Sequence, residues 1–148
     1  MGCSKICPFL VVLLLLFSGI YFYTQFQNIQ VPDKSSTSPQ IKDLIVVTSP
    51  NPNKKIESPL IVSGNARGYW FFEGDAPVVI TDWDGLIVGE GYITATEPWM
   101  TEEFVPFEGA IEFTKPEYKN TGSIIFKNAN ASGLPEHDKA LEFPVLFK

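Results

Sequence analysis

Cysteine is almost missing from this chain. Cys3 and Cys7 are the only two in 148 residues, and both precede a long apolar run. Everything after that run is free of thiols, so it can form no internal disulfide, no thiolate zinc site and no Cys–His catalytic pair. Histidine is scarcer still. His137 is the sole imidazole, and any Ser–His–Asp triad or histidine metal site would have to use it. It stands between Glu136 and Asp138 in a hydrophilic stretch and reads as a solvated surface residue. Basic residues are few. Eleven Lys and Arg against seventeen Asp and Glu leave a formal charge of −6. Phosphate backbones are held by clustered cations, and Lys54-Lys55 is the one adjacent basic pair. Nucleic acid is therefore no expected partner. Carboxylates are plentiful, but nothing singles out a catalytic pair of them. The expectation is a non-enzyme without cofactors.

What is present begins with an uncharged stretch from Ile6 to Pro32. A bilayer-spanning helix needs about 20 apolar residues. Residues 6–26 meet that as a signal anchor, with Tyr21, Phe22 and Tyr23 at headgroup level. The competing reading is a cleaved signal peptide. Its cut would need small residues one and three positions before it. Gly19 pairs with Phe17 and Ser18 with Leu16, so the anchor is preferred. Met1-Gly2-Cys3-Ser4 resembles the start of a myristoylation signal, but Ile6 occupies the position that requires Ser or Thr. Lys5 precedes the run and no Lys or Arg follows until Lys34, which puts residues 1–5 in the cytoplasm and the rest outside. The expected location is the cell membrane, single-pass, or the secreted fraction if the anchor is cut. Residues 27–43 are polar and rich in Ser and Pro, and read as a flexible linker.

From residue 44 to 148 the chain alternates apolar and polar with a period of two. Val105, Phe107, Gly109, Ile111 and Phe113 share one face, and Leu141, Phe143, Val145 and Phe147 repeat the pattern. This is the mark of half-buried antiparallel strands. Strands are expected at about 44–48, 59–66, 76–81, 86–96, 104–113, 122–127 and 140–147. In the fourth, Ile87, Gly89, Gly91, Ile93 and Ala95 would face inward. Twelve Phe and three Trp supply large buried areas. The fold class is all-β, an immunoglobulin-like antiparallel sandwich of about seven strands, with an open barrel as the alternative.

Particular stretches carry a family resemblance. Ser58-Pro59-Leu60-Ile61-Val62-Ser63-Gly64-Asn65-Ala66 is followed by Trp70-Phe71-Phe72-Glu73-Gly74 and Asp82-Trp83-Asp84-Gly85. Val105-Pro106-Phe107-Glu108-Gly109 and Asn130-Ala131-Ser132-Gly133-Leu134-Pro135-Glu136 come after, before a Pro144-Val145 strand. In order and spacing, residues 45–147 resemble the Gmad2 domain, the immunoglobulin-like domain named from bacterial spore-germination proteins. The resemblance implies a bacterial, extracytoplasmic domain with a binding or assembly role and no catalysis. A role in germination itself is not carried over.

Three surfaces are candidates for binding. Trp70, Phe71 and Glu73 belong to an aromatic run that is either a platform for peptide or sugar or a core plug. Strand alternation would put Trp70 and Phe72 on one face and Phe71 on the other. Asn128, Asn130, Ser132, Leu134 and Glu136 lie in a polar loop, the kind of segment that carries function on a rigid scaffold; the alternative is a loop stitched by its own side chains. Trp83 sits in a turn between Asp82 and Asp84. Paired carboxylates at that spacing are weak calcium candidates, and Asp also favours turns for its own backbone bonds. The expected partner is a cell-envelope protein that meets residues 128–138 together with 70–73. The alternative is a carbohydrate or peptidoglycan stacked on exposed Trp70, Trp83 or Trp99.

Overall fold

A computed structural model describes residues 40–148. The segments expected to be a cytoplasmic tail (1–5), a signal anchor (6–26) and most of a linker (27–43) lie outside the described residues. Among those described, no helix is long and apolar enough to cross a membrane.

Eight strands form: β1 (Ile45–Ser49), β2 (Lys55–Ile56), β3 (Leu60–Arg67), β4 (Asp75–Asp82), β5 (Ile87–Ala95), β6 (Phe104–Ile111), β7 (Thr121–Lys127) and β8 (Ala140–Phe147). They hydrogen-bond in the order β1-β3-β6-β5-β4-β7-β8-β2. The seam between β5 and β6 is thin. Thr94 pairs with Glu108, Ala95 with Phe107, and Gly89 bridges to Phe113. The sheet curls there, so β6 and β7 face one another although two strands separate them in the sheet. The rings of Phe107 and Phe126 meet at 6.2 Å and those of Phe113 and Phe147 at 5.4 Å. The outcome is an immunoglobulin-like all-β fold whose two layers belong to one continuous sheet.

The alternation selects the core as expected. Val62, Ala66, Val105, Phe107, Ile111, Ile124, Phe126, Val145 and Phe147 are all buried. Gly64 faces Phe107 across β3 and β6, and a Cβ on it would lie 2.7 Å from Phe107 Cζ. Only glycine leaves room for that ring.

Three features differ from the sequence expectation. β2 is an eighth strand, two residues long, parallel to β8 through Lys55↔Leu146 and Ile56↔Phe147. A bulge interrupts β4 and β5, where Ile80 opposes Gly89 but Thr81 opposes Ile87. The extra residue, Val88, reverses the phase. Val88 packs on the core, Ile93 is fully buried, and Ile87 is 52% exposed rather than inward. Finally, Ile41–Asp43 form a 3-10 turn with Ile41 against the core, so order begins slightly before the expected linker boundary.

Candidate functional site

Antiparallel strands sort the loops onto two ends. The termini at Arg67, Asp75, Ala95, Phe104, Lys127 and Ala140 lie together, so loops 68–74, 96–103 and 128–139 crown one end. The chain enters β1 at that same end, since Ile45 pairs with Ala66. Turn 83–86 and loop 112–120 lie at the other. The predicted residues therefore divide. Trp70, Phe71, Glu73 and the 128–138 loop come together, whereas Asp82, Trp83 and Asp84 are remote from them.

The crown is pinned at its base. Arg67 Nε donates to Asp43 O at 3.0 Å and Nη1 to Glu102 O at 3.2 Å. Its Nη1 lies 3.7 Å from the Glu103 carboxylate, and its guanidinium sits 4.1 Å above the Phe104 ring. Gly68 N–H donates to Glu103 O at 3.0 Å, and its missing Cβ would collide with the carbonyls of Trp99 and Thr101.

Gly68–Trp70 is a 3-10 turn, not a strand. Its tighter winding, followed by an extended Phe71, overturns the expected alternation. Trp70 and Phe71 are both buried, and Phe71 packs edge-on against Phe107 at 6.5 Å. Neither can be a platform; they are the plug beneath the crown. The Trp70 indole N–H is buried and has no hydrogen-bond partner among the described residues. Phe72 emerges instead, 51% exposed. It opens a tight turn closed by Phe72 N–H to Asp75 O at 3.0 Å and Asp75 N–H to Phe72 O at 3.1 Å. Glu73 and Gly74 take φ of 55° and 88°, the twist of a type I′ hairpin turn. Glu73 is thus held exposed at the tip in a conformation that disfavours side chains.

Ala129 N–H donates to Trp70 O at 2.8 Å and joins the plug to the polar loop. That loop is stitched internally. Asn130 Nδ2 donates to Leu134 O and to Asp138 Oδ1, both at 2.8 Å. Asn128 spans the loop base, with Nδ2 donating to His137 O and Oδ1 accepting from Lys139 N–H. Ser132 Oγ donates to Asn130 Oδ1 at 2.6 Å and accepts from Leu134 N–H. A hydroxyl carries one proton, so the 2.9 Å contact between Ser132 Oγ and His137 Nδ1 has the ring as donor. The Ser132–His137 contact is one link in the loop's own hydrogen-bond network. Asn128, Asn130 and Ser132 thus spend their polar groups on the loop's shape, while Leu134 (48% exposed) and Glu136 point to solvent. A shallow recess of about 220 Å³ runs along Lys127, Asn128, Asp138, Lys139 and Ala140.

At the far end, Asp82 Oδ1 accepts from the N–H groups of Asp84 and Leu86, both at 2.9 Å. This carboxylate shapes the turn. Among the described residues no group of three or more His, Cys, Asp or Glu could hold a metal ion. Trp83 is 44% exposed, edge-on to Tyr118 at 5.7 Å, and Lys119 Nζ covers its ring at 3.8 Å. Two exposed crown residues escaped the sequence reading, Tyr69 and Met100. Met100 was detectable in principle, as an apolar residue within a polar, non-alternating stretch.

The model of Gmad2, the immunoglobulin-like domain of bacterial spore germination, matches residues 44–133. The chain belongs to this family. The match to Gmad2 spans β1 to β7 and reaches into the crown as far as Gly133. β8 lies beyond it, yet β8 pairs with every residue of β7 and is part of the same sheet. No curated protein and no solved structure matches the chain.

Proposed function

We propose that this Gmad2 protein is a non-catalytic, membrane-anchored interaction module, with its domain outside the cell and the crown engaging another cell-envelope protein. The supporting observation is the crown's construction. A plug of Trp70 and Phe71, the Arg67 clamp and the Ala129–Trp70 hydrogen bond tie three loops together, while Tyr69, Phe72, Met100 and Leu134 are exposed above them. Exposed apolar side chains on a fixed base are what a protein interface requires. The anchoring half of the proposal rests on the apolar stretch of residues 6–26. The glycan reading has less support. Trp70 is buried, Trp99 is partly buried, and Lys119 lies over one face of Trp83.

The test is co-purification from detergent-solubilised envelopes of the native host, comparing the full chain with its Phe72→Ser and Trp83→Ser variants. A partner retained by the wild type and by Trp83→Ser, but lost with Phe72→Ser, fits the proposal. Loss only with Trp83→Ser moves the binding surface to the far end.

A further inference from the structure

The crown carries a charge imbalance in addition to its apolar tips. Glu73, Glu97, Glu102 and Glu136 are all exposed there, and none of them is in an ion pair among the described residues. The cations nearby in sequence are few. Arg67 is committed to Glu103, to backbone carbonyls and to the Phe104 face. Lys139 and Lys127 border the recess at one side, and Lys42 is exposed in the turn where the chain enters β1. The apolar tips Phe72, Met100 and Leu134 come one from each loop, and each has an acid close to it in sequence: Phe72 next to Glu73, Met100 two residues from Glu102, Leu134 two residues from Glu136.

We infer that the crown is built for a protein segment that carries Lys or Arg next to apolar side chains. This rests on the reading of the crown as the interaction surface and adds the chemistry of its partner. Carboxylates in excess over cations, on the same loops as exposed apolar side chains, favour a cationic rim on the opposing surface and disfavour an acidic one. The same carboxylates repel anionic lipid headgroups, so a segment of protein, not the bilayer surface, is the occupant.

The test uses the full chain in phosphatidylcholine nanodiscs, panned against a displayed library of random twelve-residue peptides, with empty nanodiscs for counter-selection. The expected consensus places Lys or Arg beside Leu, Ile or Phe. Affinity of an enriched peptide should fall at least tenfold on combined Glu73→Lys, Glu102→Lys and Glu136→Lys, and also on Phe72→Ser. It should be unchanged by Glu117→Lys at the far end and should weaken with added salt. Acidic or uncharged peptides that are lost on Phe72→Ser would overturn the inferred chemistry and leave the crown as the binding surface. Peptides indifferent to every crown variant would overturn both. Hydrogen-exchange protection of the Phe72 turn by phosphatidylglycerol nanodiscs, with no peptide enriched, would make the bilayer the occupant and sink the inference.

Discussion

Glu73 adopts φ +55° at the tip of a turn that favours Asn or Gly. A side chain in that region is disfavoured by about 1 kcal/mol. Glu73→Asn is expected to raise stability by about 0.5–1 kcal/mol in urea denaturation while weakening partner binding. No gain in stability would mean that the turn is not of this type. Asn130 is the opposite kind of residue, since its amide holds Leu134, Asp138 and Ser132 together. Each such bond contributes about 0.5–1.5 kcal/mol net, so Asn130→Ala should cost about 1–2 kcal/mol and speed amide exchange from Ala131 to Asp138. At this scale the sequence was only half legible. The polarity of the Asn130 loop was visible, and its self-stitching was one of two open readings. The inward turn of Phe71 was hidden, because alternation holds only where the backbone is extended and Gly68–Trp70 is a 3-10 turn.

The strands were the most legible elements. All seven expected strands form, with ends within two residues of those read from alternation and turn residues. The two departures are positional. β2 is too short to show a period, and its pairing with β8 joins residues 91 positions apart, as the Glu57–Lys148 ion pair beside it also does. The β4–β5 bulge adds one residue without any change in composition, so no local signal marks it. The bulge makes a sharp forecast. Ile87→Ser should change stability by no more than about 0.5 kcal/mol, whereas Ile93→Ala should destabilise by about 2–5 kcal/mol. If the two substitutions were equally damaging, the phase of β5 would be wrong.

At the scale of the whole molecule, one consequence follows from strand order alone: the loops preceding β4, β6 and β8 share an end with the point of chain entry. The sequence offered both the aromatic run and the Asn-rich loop as candidates, and antiparallel order brings them together. The same order separates Trp83 from them. Continuity of the core across the curl predicts that Phe107→Ala, which removes the ring shared by Phe71 and Phe126, lowers stability by about 3–5 kcal/mol and unfolds both layers in one transition. The proposed anchor predicts that the full chain stays with membranes through alkaline carbonate extraction, whereas release into the supernatant would make it peripheral or secreted.

The most direct test of the central claim is photo-crosslinking in living cells of the native host. A benzophenone side chain would replace Phe72, Met100 or Leu134 at the crown, and Trp83 or Tyr118 at the far end. Discrete protein adducts from the three crown positions and none from the far end are the predicted result. Adducts from Trp83 or Tyr118 with a silent crown would contradict the account.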